Sequence, residues 1–244
     1  MLNKIFKKLK SSKKQMDNTF ADFSQKEREF ISSVSKFTMT SPERLVTLIR
    51  SVYYLEENGI EGDFVECGVW KGGSVMAMIK VLQSLNIEER DIWLFDTFEG
   101  MTEPKDMDSK FDDTKAEILL KNDSSRKSTV WAVSSLKEVS ANISSLGYPS
   151  EKIKLIKGPV EDTLLKNKTE KIALLRLDTD WYESTKIELE TLFPKLVKGG
   201  VLIIDDYGHW KGCKQAVDEY FVKQGYPIFL NRIDYTGRIF IKYW

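Results

Sequence analysis

Val201 to Trp210 read VLIIDDYGHW, so an aliphatic run ends in the adjacent carboxylates Asp205 and Asp206, with the chain's sole histidine, His209, close behind. Neighbouring carboxylates repel, and a shared divalent cation is the simplest way to offset that cost. A second acidic pair, Asp178 and Asp180, closes another apolar run in LLRLDTDWYEST. Adjacent strand ends in a parallel sheet lie about 5 Å apart, so Asp178, Asp205 and Asp206 can converge on one hard ion. Without a metal, one of the three should hold its proton to unusually high pH. Asp180 has a plainer use: with Glu183, or through Ser184 alone, this stretch can cap the helix that follows. His209 borders the cluster and is a candidate general base.

Two further clusters suit a nucleoside cofactor. VECGVWKGGS, Val65 to Ser74, places glycines after a strand, where the backbone can approach a ligand and open a helix. The spacing is not the dinucleotide G-x-G-x-x-G. Glu66 would repel a pyrophosphate but suits an ammonium, which points to S-adenosylmethionine. In LFDTFEGM, Asp96 ends the next strand, where a carboxylate can accept from both ribose hydroxyls. Its alternative use is that of a turn aspartate.

These clusters need strands that end where they begin. Apolar runs predict strands over Asp63–Cys67, Ile92–Asp96, Ile153–Ile156, Ile172–Asp178 and Val201–Ile204. Helices alternate with them. One carries Val75, Met78, Ile79 and Leu82 on a single stripe. Others cover about Ser135–Leu146 with Gly147 as the stop, about Val160–Lys166, Ser184 to about Phe193, and a stretch packing Cys213, Ala216, Val217 and Tyr220. Residues 97–150 hold no clear strand. Ser41 and Pro42 mark a helix start within a helical stretch over 20–60. Alternation implies an α/β fold with a mostly parallel sheet and helices on both faces. The last two runs, PIFLN and RIFIKYW, are joined too closely for a parallel crossover and should pair antiparallel. The simplest organisation is a basic tail over 1–19 and one domain over 20–244. Within that domain, 20–60 form a helical cap and 61–244 the core.

Lysine plus arginine and aspartate plus glutamate both number 37, so no overall field favours nucleic acid. Cys67 and Cys213 give no disulfide framework and suit a reducing, cytoplasmic setting. MLNKIFKKLKSSKK mixes six lysines with Leu2, Ile5, Phe6 and Leu9. It reads as a solvated tail, with docking on an anionic membrane surface as the alternative.

In this order, the clusters resemble the macrocin O-methyltransferase (TylF-type) family from about Phe20 to Phe221. The phrases that carry the likeness are TMTSPER, GDFVECGVWKGGS, LFDTFEGM, KGPVEDTL, LRLDTDWYEST and IIDDYGHWKGCKQAVDEY. The resemblance implies a Rossmann-like class I methyltransferase fold with seven strands, dependent on S-adenosylmethionine and Mg²⁺. It implies methylation of a hydroxyl on a sugar or glycosylated metabolite, with a small-molecule or glycan acceptor. Glu66, Gly68 and Ser74 would then bind the methionine end, and Asp96 would meet the ribose. Thr38 and Met39 would cover the cofactor, and Asp178, Asp205 and Asp206 would hold the metal. The base would be His209 or Asp178, and a homo-oligomer fits the resemblance too. The rival enzyme is a metal-dependent glycosyltransferase using Asp178-Thr-Asp180 on a sugar nucleotide, which leaves Glu66 and the glycine loop without a role.

Overall fold

A computed structural model describes residues 20–244 except 124, 127, 167 and 227. The lysine-rich N-terminal segment, with its membrane reading, lies outside the described residues. No described helix is long and apolar enough to cross a membrane.

Two helices precede the first strand, and each has a sequence-encoded start. Ser24 and Glu27 form a reciprocal capping box at α1, Gln25–Val34. Ser41 accepts from the Arg44 N–H and Pro42 follows it, which opens α2, Pro42–Glu57. Then come β1 (Asp63–Cys67), α3 (Gly73–Ser84), β2 (Ile92–Asp96), α4 (Ala116–Asn122), α5 (Leu136–Ser144) and β3 (Ile153–Lys157). The second half holds α6 (Val160–Thr163), β4 (Ile172–Leu177), α7 (Tyr182–Leu192), β5 (Leu196–Ile204), α8 (Lys211–Gln224), β6 (Asn231–Arg232) and β7 (Arg238–Ile241).

The strands form a seven-stranded sheet in the order β3-β2-β1-β4-β5-β7-β6. β1 to β5 pair in parallel, whereas β7 runs antiparallel to both β5 and β6. The expected antiparallel ending is present, although β6 is shorter than PIFLN suggested. β5 begins earlier than expected, because Leu196 pairs with Ile172 across a register irregularity before Val201 meets Leu174.

Alternate strand residues feed separate cores. Phe64, Leu174, Val201 and Ile203 face α2, α3 and α5. Val65, Leu175, Leu202 and Ile204 face α7 and α8. The period of two carries the first face onward from Phe64 to Glu66, from Leu174 to Arg176, and from Ile203 to Asp205. The register sets Glu66 opposite Arg176 and Arg176 opposite Ile203. Apolar alternation thus delivers three charged groups to one buried layer at the strand ends.

Candidate active site

The carboxyl ends of β1, β2, β4 and β5 open into one cavity of about 470 Å³, within the range of small-molecule sites. The glycine loop forms one wall. Gly68 has φ +83°, and a Cβ there would lie 1.9 Å from the Asp178 carbonyl oxygen, so only glycine fits where β4 leaves the sheet. Gly72 opens α3 without a side-chain cap, and the first N–H of the helix, that of Gly73, donates to the Phe37 carbonyl at 2.9 Å. Ser74 is buried at the cavity wall, 3.4 Å from Thr40 Oγ1. Thr38, Met39 and Thr40 line the same space, with Met39 at 47% exposure.

Asp96 also lines the cavity, but its carboxylate braces the loop. Oδ2 accepts from the Val69 and Trp70 N–H groups at 2.7 and 3.1 Å, and Oδ1 from the Phe98 N–H at 2.6 Å. Asp96 therefore has the turn role and a place on the cavity wall at once. Glu66, expected at the methionine end of the cofactor, is not among the residues that line the cavity. It lies fully buried behind the wall, where Oε1 accepts from Arg176 Nη1 at 2.5 Å and Oε2 has no described partner. Burial pushes this carboxyl up to about 8 against the opposing pull of Arg176.

Arg176 is the centre of the polar layer and was absent from the sequence reading. Its Nη2 donates to Asp205 Oδ2 at 2.7 Å and to Thr40 Oγ1 at 3.0 Å, and pairs with Asp178 Oδ2 at 2.7 Å. Arg44 Nη1 also donates to Asp205 Oδ2, and Arg44 Nε meets Asp234 at 3.1 Å. An arginine inside the otherwise apolar strand IALLRL, beside a strand containing glutamate, was the signal available for this pair.

The strand-end aspartates thus divide into two kinds. Asp178 and Asp205 each receive a guanidinium. Asp180 and Asp206 hydrogen-bond to one another, and no described cation pairs with either. Burial, then the charge of Asp180, raises Asp206 well above the usual carboxylate range. Burial raises Asp180 to about 7 against hydrogen bonds from Asp206 and Trp210, and raises Asp178 as well. The proposed convergence of Asp178, Asp205 and Asp206 is not seen as a formed metal group: among the described residues, no three His, Cys, Asp or Glu side chains are so gathered. The physical reason is that Asp205 Oδ2 turns to two guanidinium groups. Asp205 Oδ1 and Asp206 Oδ2 are nevertheless buried without a partner among the described residues, and carboxylate oxygens of this kind suit a hard cation.

Asp180 does not cap α7. That helix begins at Tyr182 after an uncapped Trp181, and the Tyr182 N–H donates to Asp108 Oδ1 at 2.9 Å. Ser184 instead donates to the Trp181 carbonyl. Freed from capping, Asp180 sits on the cavity wall with φ +69°, a backbone conformation costly for a non-glycine residue. His209 also lines the cavity. Its Nδ1 lies 3.1 Å from the Tyr235 hydroxyl, and burial, then Lys110, lowers its pKa below the ordinary value.

A doubly wound sheet whose glycine loop and acidic strand ends open into one cavity is the arrangement of a Rossmann-like S-adenosylmethionine-dependent O-methyltransferase, and the relatives bear out that class. The chain belongs to the Macrocin-O-methyltransferase (TylF) family, which it matches over residues 1–242. It is 34% identical over 200 residues to demethyldecarbamoylnovobiocin O-methyltransferase of Streptomyces niveus, covering 82% of this chain and 73% of that one. It is 38% identical over 200 residues to the 8-demethyl-8-(2,3-dimethoxy-alpha-L-rhamnosyl)-tetracenomycin-C 4'-O-methyltransferase of Streptomyces olivaceus, with the same two coverages, 82% and 73%. The solved O-methyltransferase NovP superposes with a TM-score of 0.74 at 32% identity, covering 85% of this chain and 83% of that one. The calicheamicin methyltransferase CalS11 shares the fold at a TM-score of 0.61 and 20% identity, over 90% of this chain and 93% of its own. The glycosyltransferase alternative gains no support, since the family transfers methyl groups.

Proposed function

We propose that this enzyme methylates a sugar hydroxyl on a glycosylated small molecule, with a divalent cation, magnesium, at the acidic wall. The observation that carries the reading is the pair of buried, unpartnered carboxylate oxygens Asp205 Oδ1 and Asp206 Oδ2 in the same cavity as the glycine loop. The relatives' names support the acceptor class: one acts on a rhamnosyl-tetracenomycin, another is mycinamicin III 3''-O-methyltransferase of Micromonospora griseorubida. The free, buried Cys67 and Cys213 suit a cytoplasmic enzyme.

Asp178, Asp205 and Asp206 would hold the cation, with Arg176 and Arg44 already balancing part of their charge. When bound, the ion makes a sugar hydroxyl more acidic and fixes its direction. S-adenosylmethionine supplies the electrophilic methyl and leaves as the thioether. Asp180 takes the hydroxyl proton onto its carboxylate. It lines the cavity without the guanidinium partner that Asp178 and Asp205 each have, which supports it as the acid–base group. The acceptor oxygen bonds to the methyl carbon while the carbon–sulfur bond breaks and its electron pair stays on sulfur. Trp210 holds Asp180 by a hydrogen bond, and Thr38 and Met39 cover the reacting groups from water. Asp178 is a poorer base than expected, because Arg176 occupies its Oδ2.

One observation favours His209 as a second reading for the base. If its Nδ1–H donates to the Tyr235 hydroxyl, the basic nitrogen Nε2 remains for the acceptor. The test is methyl transfer from labelled S-adenosylmethionine to a glycoside and to its aglycone, before and after chelation. Methylation of the glycoside alone, lost on chelation and restored by magnesium, is expected. Equal methylation of the aglycone would overturn the sugar assignment, and chelator-insensitive turnover the cation.

A further inference from the structure

The turn Ile233–Gly237 between β6 and β7 lies beyond the motif-bearing part of the chain, yet it ties together two walls of the cavity. The Asp234 carboxylate faces two ways. Oδ1 accepts from the Thr236 and Gly237 N–H groups at 2.9 and 2.6 Å, which fixes the turn. Oδ2 accepts from Ser41 Oγ at 2.8 Å and from Arg44 Nε at 3.1 Å. Ser41 and Arg44 follow directly on Thr38–Thr40, the stretch that lines the cavity.

The other side of the turn is fastened to the end of β5. Thr236 Oγ1 donates to the Asp205 carbonyl at 2.6 Å, and the Gly208 N–H donates to the Thr236 carbonyl at 2.9 Å. The approach is so close that a Cβ on Gly208 would meet the Tyr235 carbonyl oxygen at 2.0 Å. Arg44 completes the tie by donating from Nη1 to Asp205 Oδ2. An aspartate needed only for the turn would use Oδ1 alone. Here the second oxygen is committed to a segment about 190 positions earlier in the chain.

We infer that Asp234 is a positioning residue for methyl transfer: its carboxylate holds residues 38–44 over the cofactor half of the cavity. The segment has other anchors: Arg44 Nη1 on Asp205 Oδ2, Thr40 Oγ1 accepting from Arg176 at 3.0 Å and lying 3.4 Å from Ser74 Oγ, and the Phe37 carbonyl accepting from the Gly73 N–H at 2.9 Å. Asp234 ties it to the C-terminal turn, so losing that charge-assisted contact loosens residues 38–44 against the turn. Cofactor affinity then depends on a C-terminal turn far beyond the glycine loop in the chain, through its hold on residues 38–44. This inference rests on the reading of the cavity as the S-adenosylmethionine site.

The test is S-adenosylhomocysteine binding by calorimetry, with amide exchange of residues 37–44, in the full chain. Asp234→Asn keeps an oxygen for the turn but turns an amide N–H₂ towards Arg44. We expect about tenfold weaker binding, the loss of one charge-assisted hydrogen bond. Faster exchange confined to 37–44 and a rise in KM for S-adenosylmethionine larger than the fall in kcat should accompany it. A residue that merely held the turn would lower Tm without that split. Ser41→Gly, which keeps most of the helix cap, should weaken binding about threefold and decides the matter if Asp234→Asn does not fold. Wild-type affinity and exchange in the folded variants would overturn the inference. Failure of the wild-type chain itself to bind S-adenosylhomocysteine would instead strike the cofactor reading beneath it.

Discussion

Arg176→Met should unsettle the molecule more than any surface substitution. Arg176 is the largest fully buried side chain, and its guanidinium meets Glu66, Asp178 and Asp205 within 2.7 Å. Methionine fills comparable volume but offers no donor, so the carboxylates beneath the cavity keep only Arg44 as a counter-charge. Removing one partner of a buried ion pair costs about 3–5 kcal/mol, because the remaining charge stays desolvated. The lower end applies here, since Glu66, already pushed up to about 8 by burial, can retain its proton at neutral pH. A loss of about 3 kcal/mol in a chain of this size corresponds to a Tm lower by about 6–12 °C. Scanning calorimetry and urea midpoints measure it directly. Adding Glu66→Gln to Arg176→Met should cost less than the sum of the two single changes, because both disturb the same Arg176–Glu66 contact. A Tm within about 2 °C of wild type, or strict additivity in the pair, would refute the reasoning.

Glu66 should also shape stability against pH. Its folded-state value is raised by burial, so the folded chain binds the proton more tightly, and stability falls as pH rises from 4.5 towards about 8. Urea midpoints for Glu66→Gln should show a flatter slope across that window. Gly68→Ala should abolish cofactor binding or folding, because the added Cβ would lie 1.9 Å from the Asp178 carbonyl oxygen at φ +83°. Calorimetry with S-adenosylhomocysteine and circular dichroism would show it. Asp108→Ala removes the acceptor for the buried Tyr182 N–H and should cost about 1–2 kcal/mol in urea unfolding, like the loss of a local helix cap.

The strands were legible because each is a short apolar run ended by a charge or glycine. β1 and β2 fall where periodicity placed them, and Ser41-Pro42 marks α2. α4 was not legible, since AEILLKN sits among charged loops and owes its place to Ala116 and Leu120 packing on the second core. The start of α7 was misread for a different reason. Its cap comes from Asp108, and no local pattern reports an acceptor 74 residues away. The acidic residues of the site were visible by type and position, but their division was not. Whether an aspartate meets Arg44, Arg176 or only another aspartate depends on strand register and on where α2 docks. For the same reason the pairing of Glu66 with its cross-strand neighbour Arg176 was not legible.

The central claim is that the acidic wall acts on the acceptor while the glycine loop holds the cofactor. Its most direct test is kcat for Asp180→Asn on a glycosylated acceptor, measured beside S-adenosylhomocysteine affinity. The account predicts a fall in kcat of about 10²–10⁴, the usual worth of a general base, with affinity unchanged. A kcat within about threefold of wild type, far below that worth, would contradict it.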